Sequence, residues 1–275
     1  MTDAECVAFL QWALPQLHMR WAGFRKVRRT VCKRISRRLA DLGVPDLLAY
    51  REYLANQPAE WSVLDGLCTI TISRFYRDKT VFDFIGSDVL PQLVRAATAK
   101  GEHQVRVWSV GCACGEEPYT LALIWRFAMH APPACALRVL GTDVGPTVLA
   151  RAQRGCYASG SVRLLPSAWL ARGFARLNNE WCLREDLRTD VTFLEQDVRR
   201  ALPDGPFELI LCRNLVFTYY DESQQRALLD RLLARLTVGG ALVIGQRESL
   251  PVGVRRCTPW PGGERLGVFC RVMTS

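Results

Sequence analysis

Hydrophobic positions in the first hundred residues recur at helical spacing, and nowhere there do they alternate as a strand requires. Val27, Val31, Ile35, Leu39 and Leu42 mark one face of a helix that Gly43 stops, with the polar residues on its other faces. Leu47 to Leu54 and Glu60 to Leu67 read as further short helices. Phe82 to Lys100 reads as a linker helix that runs out in the small and polar residues AATAKGEHQ. From there the period changes. Short apolar runs at 105–110, 137–142, 191–196, 207–212 and 241–245 predict strands, separated by helices that start at Pro118, Val148 and Ser223. The third of these helices is expected over Ser223 to Leu236, stopped by Gly239 and Gly240. Two last segments, VGVRRCT and RLGVFCRV, flank a Pro-Trp-Pro-Gly-Gly turn and predict an antiparallel hairpin at a sheet edge. Strand and helix alternate, which calls for a mostly parallel sheet covered on both faces. The expected organisation is a helical domain over 1–85 with its main helix at 24–42, a linker over 86–103, and an α/β domain over 104–275.

Charge sharpens the picture of the helical part. The chain carries +9 overall, and nine Lys/Arg with no acid lie between Arg20 and Arg38, a segment equal to the whole excess. That helix is a solvated basic face or a docking surface for an acidic partner. No RNA-binding motif accompanies it, which argues against nucleic acid. No run nears the ~20 apolar residues of a membrane span. The N-terminus has no basic start before an apolar run, so a cytoplasmic protein is expected. The eleven cysteines are scattered, odd in number and mostly set in apolar runs, so most are expected as buried hydrophobes and not as a disulfide framework. Cys112 and Cys114 form no CxxC pair, and His18, His103 and His130 lie far apart, so neither a metal site nor a histidine-based triad is expected.

The first strand leads into SVGCACGEEPYTLAL, where Gly111 and Gly115 allow a sharp turn just before a helix. The loop lacks the spacing of dinucleotide folds and the Lys-Ser/Thr of a phosphate loop. Glu116 and Glu117 would repel a pyrophosphate. They suit a ligand bearing an ammonium and a sulfonium, as S-adenosylmethionine does. Asp143 ends the second strand, where an acid commonly accepts from ribose hydroxyls. Asp197 follows the next long strand, placed to accept from an adenine amine while Val198 packs on the ring. Any one of these acids alone is as readily a helix cap. Three at successive strand ends, with the glycine loop, make a site.

With these residues in hand, the chain resembles the CheR family of chemotaxis-receptor glutamate methyltransferases. The resemblance runs through TITISRFYRD (69–78), VWSVGCACGEEPYTLAL (107–123), GTDVGPTVLARAQRGCY (141–157), FELILCRNLVFTYYD (207–221) and, more loosely, GGALVIGQRESL (239–250). It implies a class I, Rossmann-like methyltransferase domain of α/β type behind a small all-α N-terminal domain. It implies S-adenosylmethionine as cofactor and S-adenosylhomocysteine as product, without metal. It places Thr71, Ser73, Arg77, Gly111, Glu116, Asp143, Asp197, Val198, Arg213 and Asn214 around the cofactor, with Arg77, Arg213 and Tyr219 closest to methyl transfer. The implied acceptor is a glutamate in an acidic helical segment of a receptor, which the basic helix would face; a small-molecule or other non-receptor acceptor is the alternative. A carboxylate is already ionised at neutral pH, with an unperturbed pKa of about 4.3. No general base is needed, and positioning is the main catalytic contribution.

Three departures from the family pattern bear on the acceptor side. The run after Cys212-Arg213-Asn214 is one residue longer, leaving either Thr218 or Tyr219 in the place of the expected tyrosine. Gln246-Arg247-Glu248 replaces His/Ser-Ser-Glu, so Arg247 either changes the acceptor's charge requirement or faces solvent. Residues 158–190 occupy the place of a small β subdomain that docks onto receptors, yet PSAWLARGFARL reads as helix, an argument against a receptor tether.

Overall fold

A seven-stranded mixed sheet dominates the computed structural model, which describes residues 1–129 and 135–273; His130 lies outside them. The strands in chain order are β1 (Gln104–Val110), β2 (Ala136–Asp143), β3 (Cys156–Ala158), β4 (Phe174–Leu177), β5 (Glu180–Leu183), β6 (Val191–Glu195), β7 (Phe207–Cys212), β8 (Leu236–Ile244), β9 (Cys257–Pro259) and β10 (Val268–Arg271). The large sheet runs β6-β2-β1-β7-β8-β10-β9. Its first five strands are parallel, and β10 and β9 add antiparallel at one edge, as the hairpin pattern predicts. Every residue of β7 is buried, as a central parallel strand covered on both faces requires. The chain reverses direction across the sheet between β1 and β7, so the loops after β1, β2, β6 and β7 share its carboxyl edge, where such sheets bind ligands.

Backbone contacts divide the chain into two units, Met1–Ile70 with Thr218–Gln225, and Thr71–Phe217 with Arg226–Ser275. The division falls at residue 70, not near 85. Helices Lys79–Phe84 and Leu90–Ala99, joined by a π turn at Ile85–Val89, belong to the sheet unit and bury Ile85, Val89, Leu90 and Leu93 in its core. The stretch expected as a linker is thus core, because its apolar side packs on the sheet.

The helical unit contains Asp3–Gln16, Trp21–Phe24, Arg28–Leu42, Leu47–Asn56 and Glu60–Leu67. Val31, Ile35 and Leu39 are buried as the spacing predicts, and Gly43 ends the helix at φ 66°. The first helix has no counterpart in the sequence reading, although Thr2 and Glu5 form a capping box that announces it. Of the nine cations, Arg28 pairs with Asp3, Arg38 with the buried Glu60, and Arg34 donates to the carbonyls of Leu67 and Thr69. Arg25, Lys26, Arg29, Lys33 and Arg37 are exposed, and Arg29, Lys33 and Arg37 make one stripe at four-residue spacing.

Two expectations are corrected, and the reading of the cysteines holds for most of them but not all. Residues 156–183 hold a three-stranded antiparallel sheet, β3-β5-β4, around the helix Ser167–Gly173. PSAWLARG is helical as read, but FARL is strand β4. Four cysteines pair, Cys6 with Cys32 and Cys156 with Cys182, while seven are free and mostly buried. Neither pairing is written in sequence spacing: one follows from two helices packing, the other from the register that sets Cys156 opposite Cys182. Finally, the helix Glu222–Arg235 lies within a residue of its expected bounds, but Gly239 and Gly240 do not stop it; they lie inside β8, which begins at Leu236. Among the described residues no helix is long and apolar enough to cross a membrane, and no group of three or more His, Cys, Asp or Glu is arranged to hold a metal ion.

Candidate active site

Gly111 and Gly115 bound the loop between β1 and the helix Glu116–Phe127, at φ 69° and 86°. A Cβ at Gly115 would lie 2.9 Å from the Ala152 Cβ, so that position needs glycine for space as well as for its backbone. At Gly111 the positive φ is the requirement, since the nearest atom, Leu215 Cδ2 at 2.7 Å, ends a side chain that can swing away. Between them Ala113 also takes a left-handed conformation, at φ 49°. Asp143, at the end of β2, holds that turn: one carboxylate oxygen accepts from the Ala113 N–H (2.9 Å) and the other from the Gly145 N–H (3.0 Å). Burial raises its pKa, and these N–H groups only partly offset that. Asp143 therefore braces the loop that a ligand would rest on.

Glu116 opens the helix and is 4% exposed. Burial pushes its carboxyl above the usual range, against smaller opposing effects of the Ser73 hydroxyl, Arg151 and the Ser161 hydroxyl. Its Oε2 is buried without a hydrogen-bond partner. An orphaned buried carboxylate oxygen costs free energy until something donates to it. An ammonium does so, and its charge favours ionised Glu116.

The segment that bears Thr71, Ser73 and Arg77 is tied to the same helix. The Tyr76 N–H donates to Thr120 Oγ1 (3.1 Å), and that hydroxyl donates to the Glu116 carbonyl (2.6 Å). The Phe75 N–H donates to the Ser161 carbonyl (3.1 Å). Arg77 is half-buried, and its Nη1 donates to the Ile72 carbonyl (3.0 Å). Its neighbours Tyr76 and Asp78 both take left-handed backbone, at φ 57° and 62°. For residues other than glycine that costs roughly 1–3 kcal/mol each, and it persists only where surrounding bonds over-determine it.

On the other side of β1, Arg213 follows β7 and its side chain is 2% exposed. Its Nη1 donates to Glu117 Oε2 (2.9 Å), and its Nη2 donates to Asp78 Oδ2 (2.6 Å) and to the Arg77 carbonyl (3.1 Å). Glu117 is therefore a partner of Arg213 and of the Ser109 hydroxyl, unlike Glu116, whose Oε2 has no partner. Asn214 is left-handed at φ 55°, and Glu248 accepts from its N–H (2.9 Å) and from the Gly245 N–H. Glu248 of the Gln-Arg-Glu triplet is thus a brace between the β7 and β8 ends, while Arg247 is exposed. Past β6, Val198 is buried, and both oxygens of Asp197 accept from the Arg199 guanidinium. Burial raises the Asp197 pKa, but the Arg199 bonds outweigh it and hold the carboxyl below the usual range.

Thr71, Ser73, Arg77, Gly111, Glu116, Asp143, Asp197, Val198, Arg213 and Asn214 all lie in the sheet unit, and Gly111, Glu116, Asp143, Asp197, Val198, Arg213 and Asn214 follow the carboxyl ends of β1, β2, β6 and β7. Tyr219 belongs to the helical unit, where its ring packs 5.0 Å from Phe24 and its carbonyl accepts from the Arg20 N–H (2.8 Å). Sequence reasoning missed Asp78, Ser161 and Glu248. Asp78 and Glu248 stood inside quoted motifs, but nothing local marks their partners, 135 and 34 residues away.

A doubly wound sheet with an orphaned acid beside a glycine turn is the frame of a nucleotide-cofactor methyltransferase. A profile of the family described as "CheR methyltransferase, SAM binding domain" matches residues 71–260. The chain is 30% identical over 236 residues to the chemotaxis protein methyltransferase of Salmonella typhimurium, covering 83% of this chain and 78% of that one. It is 27% identical over 231 residues to that of Borreliella burgdorferi, covering 82% and 81%. It is 33% identical over 222 residues to an uncharacterized 104.1 kDa protein of Rhodobacter capsulatus, of whose length it spans only 23%. The chain belongs to the CheR methyltransferase family and is an S-adenosylmethionine-dependent methyltransferase.

Proposed function

We propose that this methyltransferase esterifies a glutamate carboxylate in an acidic, helical protein segment of a receptor-like substrate, in the cytoplasm. The single observation behind this acceptor is the stripe of exposed cations, Arg29, Lys33 and Arg37 with Arg25 and Lys26, on the helical unit. A surface of that sign attracts clustered carboxylates. A site in which Asp143, Glu117 and Glu248 are spent on bracing, and Glu116 would face the cofactor's cation, also suits a nucleophile that arrives already ionised and needs no base.

The cofactor, when bound, supplies a methyl carbon on a positively charged sulfur. Glu116 would hold its ammonium and Asp143 its ribose, with Thr71 and Ser73 alongside. Val198 would pack on the adenine ring, and Asp197 would accept from the adenine amine only by sharing oxygens with Arg199. Asn214, fixed by Glu248, would close the site from the β7 side. Arg77 would stand nearest to transfer, where it steers the acceptor carboxylate toward line with the methyl carbon and sulfur. One O–C bond forms as one S–C bond breaks, the electron pair stays on sulfur, and no proton moves. Orientation then supplies most of the acceleration.

Incubation with radiolabelled S-adenosylmethionine and membranes rich in chemotaxis receptors tests the acceptor. Label that is protein-bound and released as methanol by mild alkali is the expected result, because methyl esters hydrolyse. Alkali-stable label, or label confined to small molecules, overturns it.

A further inference from the structure

We infer that Arg213 is a positioning residue whose buried guanidinium sets the Tyr76–Asp78 turn, and thereby Arg77, against the cofactor loop. The inference rests on the reading of Arg77 as a cofactor-side residue. Three facts converge on it. Arg77 sits between two residues of left-handed backbone, Tyr76 and Asp78, so its direction depends on contacts that hold the turn. Two of those contacts, to the Arg77 carbonyl and the Asp78 carboxylate, come from one nitrogen of Arg213. The other terminal nitrogen of the same planar group binds Glu117, the neighbour of Glu116 on the cofactor-loop helix.

The guanidinium thus bridges three segments that are remote in sequence: the turn at 76–78, the helix start at 116–117 and the end of β7. Its geometry is fixed further by Phe82, whose ring centroid lies 4.8 Å from the guanidinium carbon. Glu117 is held in turn by the Ser109 hydroxyl (2.8 Å). With its side chain 2% exposed and its terminal nitrogens committed to these partners, Arg213 acts through Arg77. A rigid fork is needed here. Lysine keeps the charge but presents one nitrogen and cannot meet both carboxylates and the carbonyl from one plane.

The test is a double-mutant cycle on S-adenosylhomocysteine binding, read by calorimetry on folded protein so that no acceptor is involved. R77A and R213K are each expected to weaken binding about tenfold, and the double variant no further than the weaker single one, since both changes lose the same placed side chain. Thermal melts of all four proteins separate lost folding from lost affinity. If R213K lowers only the melting temperature and leaves affinity intact, or if the two losses multiply to about a hundredfold, Arg213 does not act through Arg77. If R77A alone leaves affinity unchanged, the cofactor-side reading of Arg77 fails and carries this inference down with it, a result distinct from the other two. Should R213K not fold, E117Q and D78N replace it in the same cycle with the same outcomes.

Discussion

Protonation and ligand charge compete for one atom at Glu116, whose carboxyl is buried at a helix start with Oε2 unpartnered. Burial raises its pKa in the free protein, so in the pH window between its usual and its raised value the folded state holds more protons than the unfolded one. The free protein therefore loses stability as pH rises through that window; Asp143, raised by the same cause, adds to this, while Asp197 acts oppositely at lower pH. A bound ammonium reverses the preference at Glu116, because it favours the carboxylate and expels the proton. Affinity for S-adenosylhomocysteine should rise with pH across the window, with a slope of at most about tenfold per unit. In E116Q it should be weak and flat. Titration calorimetry at several pH values decides this, and an unchanged slope in E116Q removes Glu116 from the ligand's ammonium. The acids at 116, 143 and 197 were legible in the sequence because each closes a strand or opens the helix after one. The role of Glu117 was not, since its partner Arg213 comes 96 residues later on another strand.

Elements long enough to show a period were equally legible. The five large-sheet strands read from the pattern, the basic helix and the edge hairpin all appear near their expected places. Strands β3, β4 and β5, of three or four residues, are too short to display alternation, and FARL continues a helical pattern until its backbone is drawn into pairing with β5. One side chain of that small sheet reaches the glycine loop. Tyr157 of β3, nearly fully buried, donates its hydroxyl to the Cys114 carbonyl (2.8 Å) inside the glycine turn. Y157F keeps the ring contacts with Phe75 and Tyr119 but leaves a buried carbonyl bare, a cost of about 1–3 kcal/mol. The expected result is a melting temperature lower by several degrees, and by less when saturating S-adenosylhomocysteine holds the loop. An identical drop with and without ligand would mean that Tyr157 serves the small sheet alone.

For the molecule as a whole, charge is the property that sequence and structure report most differently. The net +9 and the nine-cation segment suggest a uniformly basic helix, but Arg28 and Arg38 are neutralised by Asp3 and Glu60, and Arg34 is spent on carbonyls. What stays exposed is narrower, with Arg29, Lys33 and Arg37 in line and Arg25 and Lys26 at the head. A stripe of that kind attracts an acidic partner over about 10 Å at 0.1 M salt and fades as salt rises. The residues that brace the glycine loop and Glu116 are other side chains, Asp143, Thr120 and Tyr157 among them. Reversing Arg29, Lys33 and Arg37 to glutamate should leave S-adenosylhomocysteine affinity and melting temperature near wild type, since these side chains are exposed and, among the described residues, hold no hydrogen bond or salt bridge. Methylation of an acidic protein substrate should fall at least about tenfold, mainly through KM, and the salt sensitivity seen in wild type should vanish with it. Rates measured from low to high salt on both proteins decide the matter. If the reversed stripe methylates the same substrate at the wild-type rate and with the same salt dependence, the acceptor does not meet this face, and a small or uncharged acceptor becomes the better reading of the site.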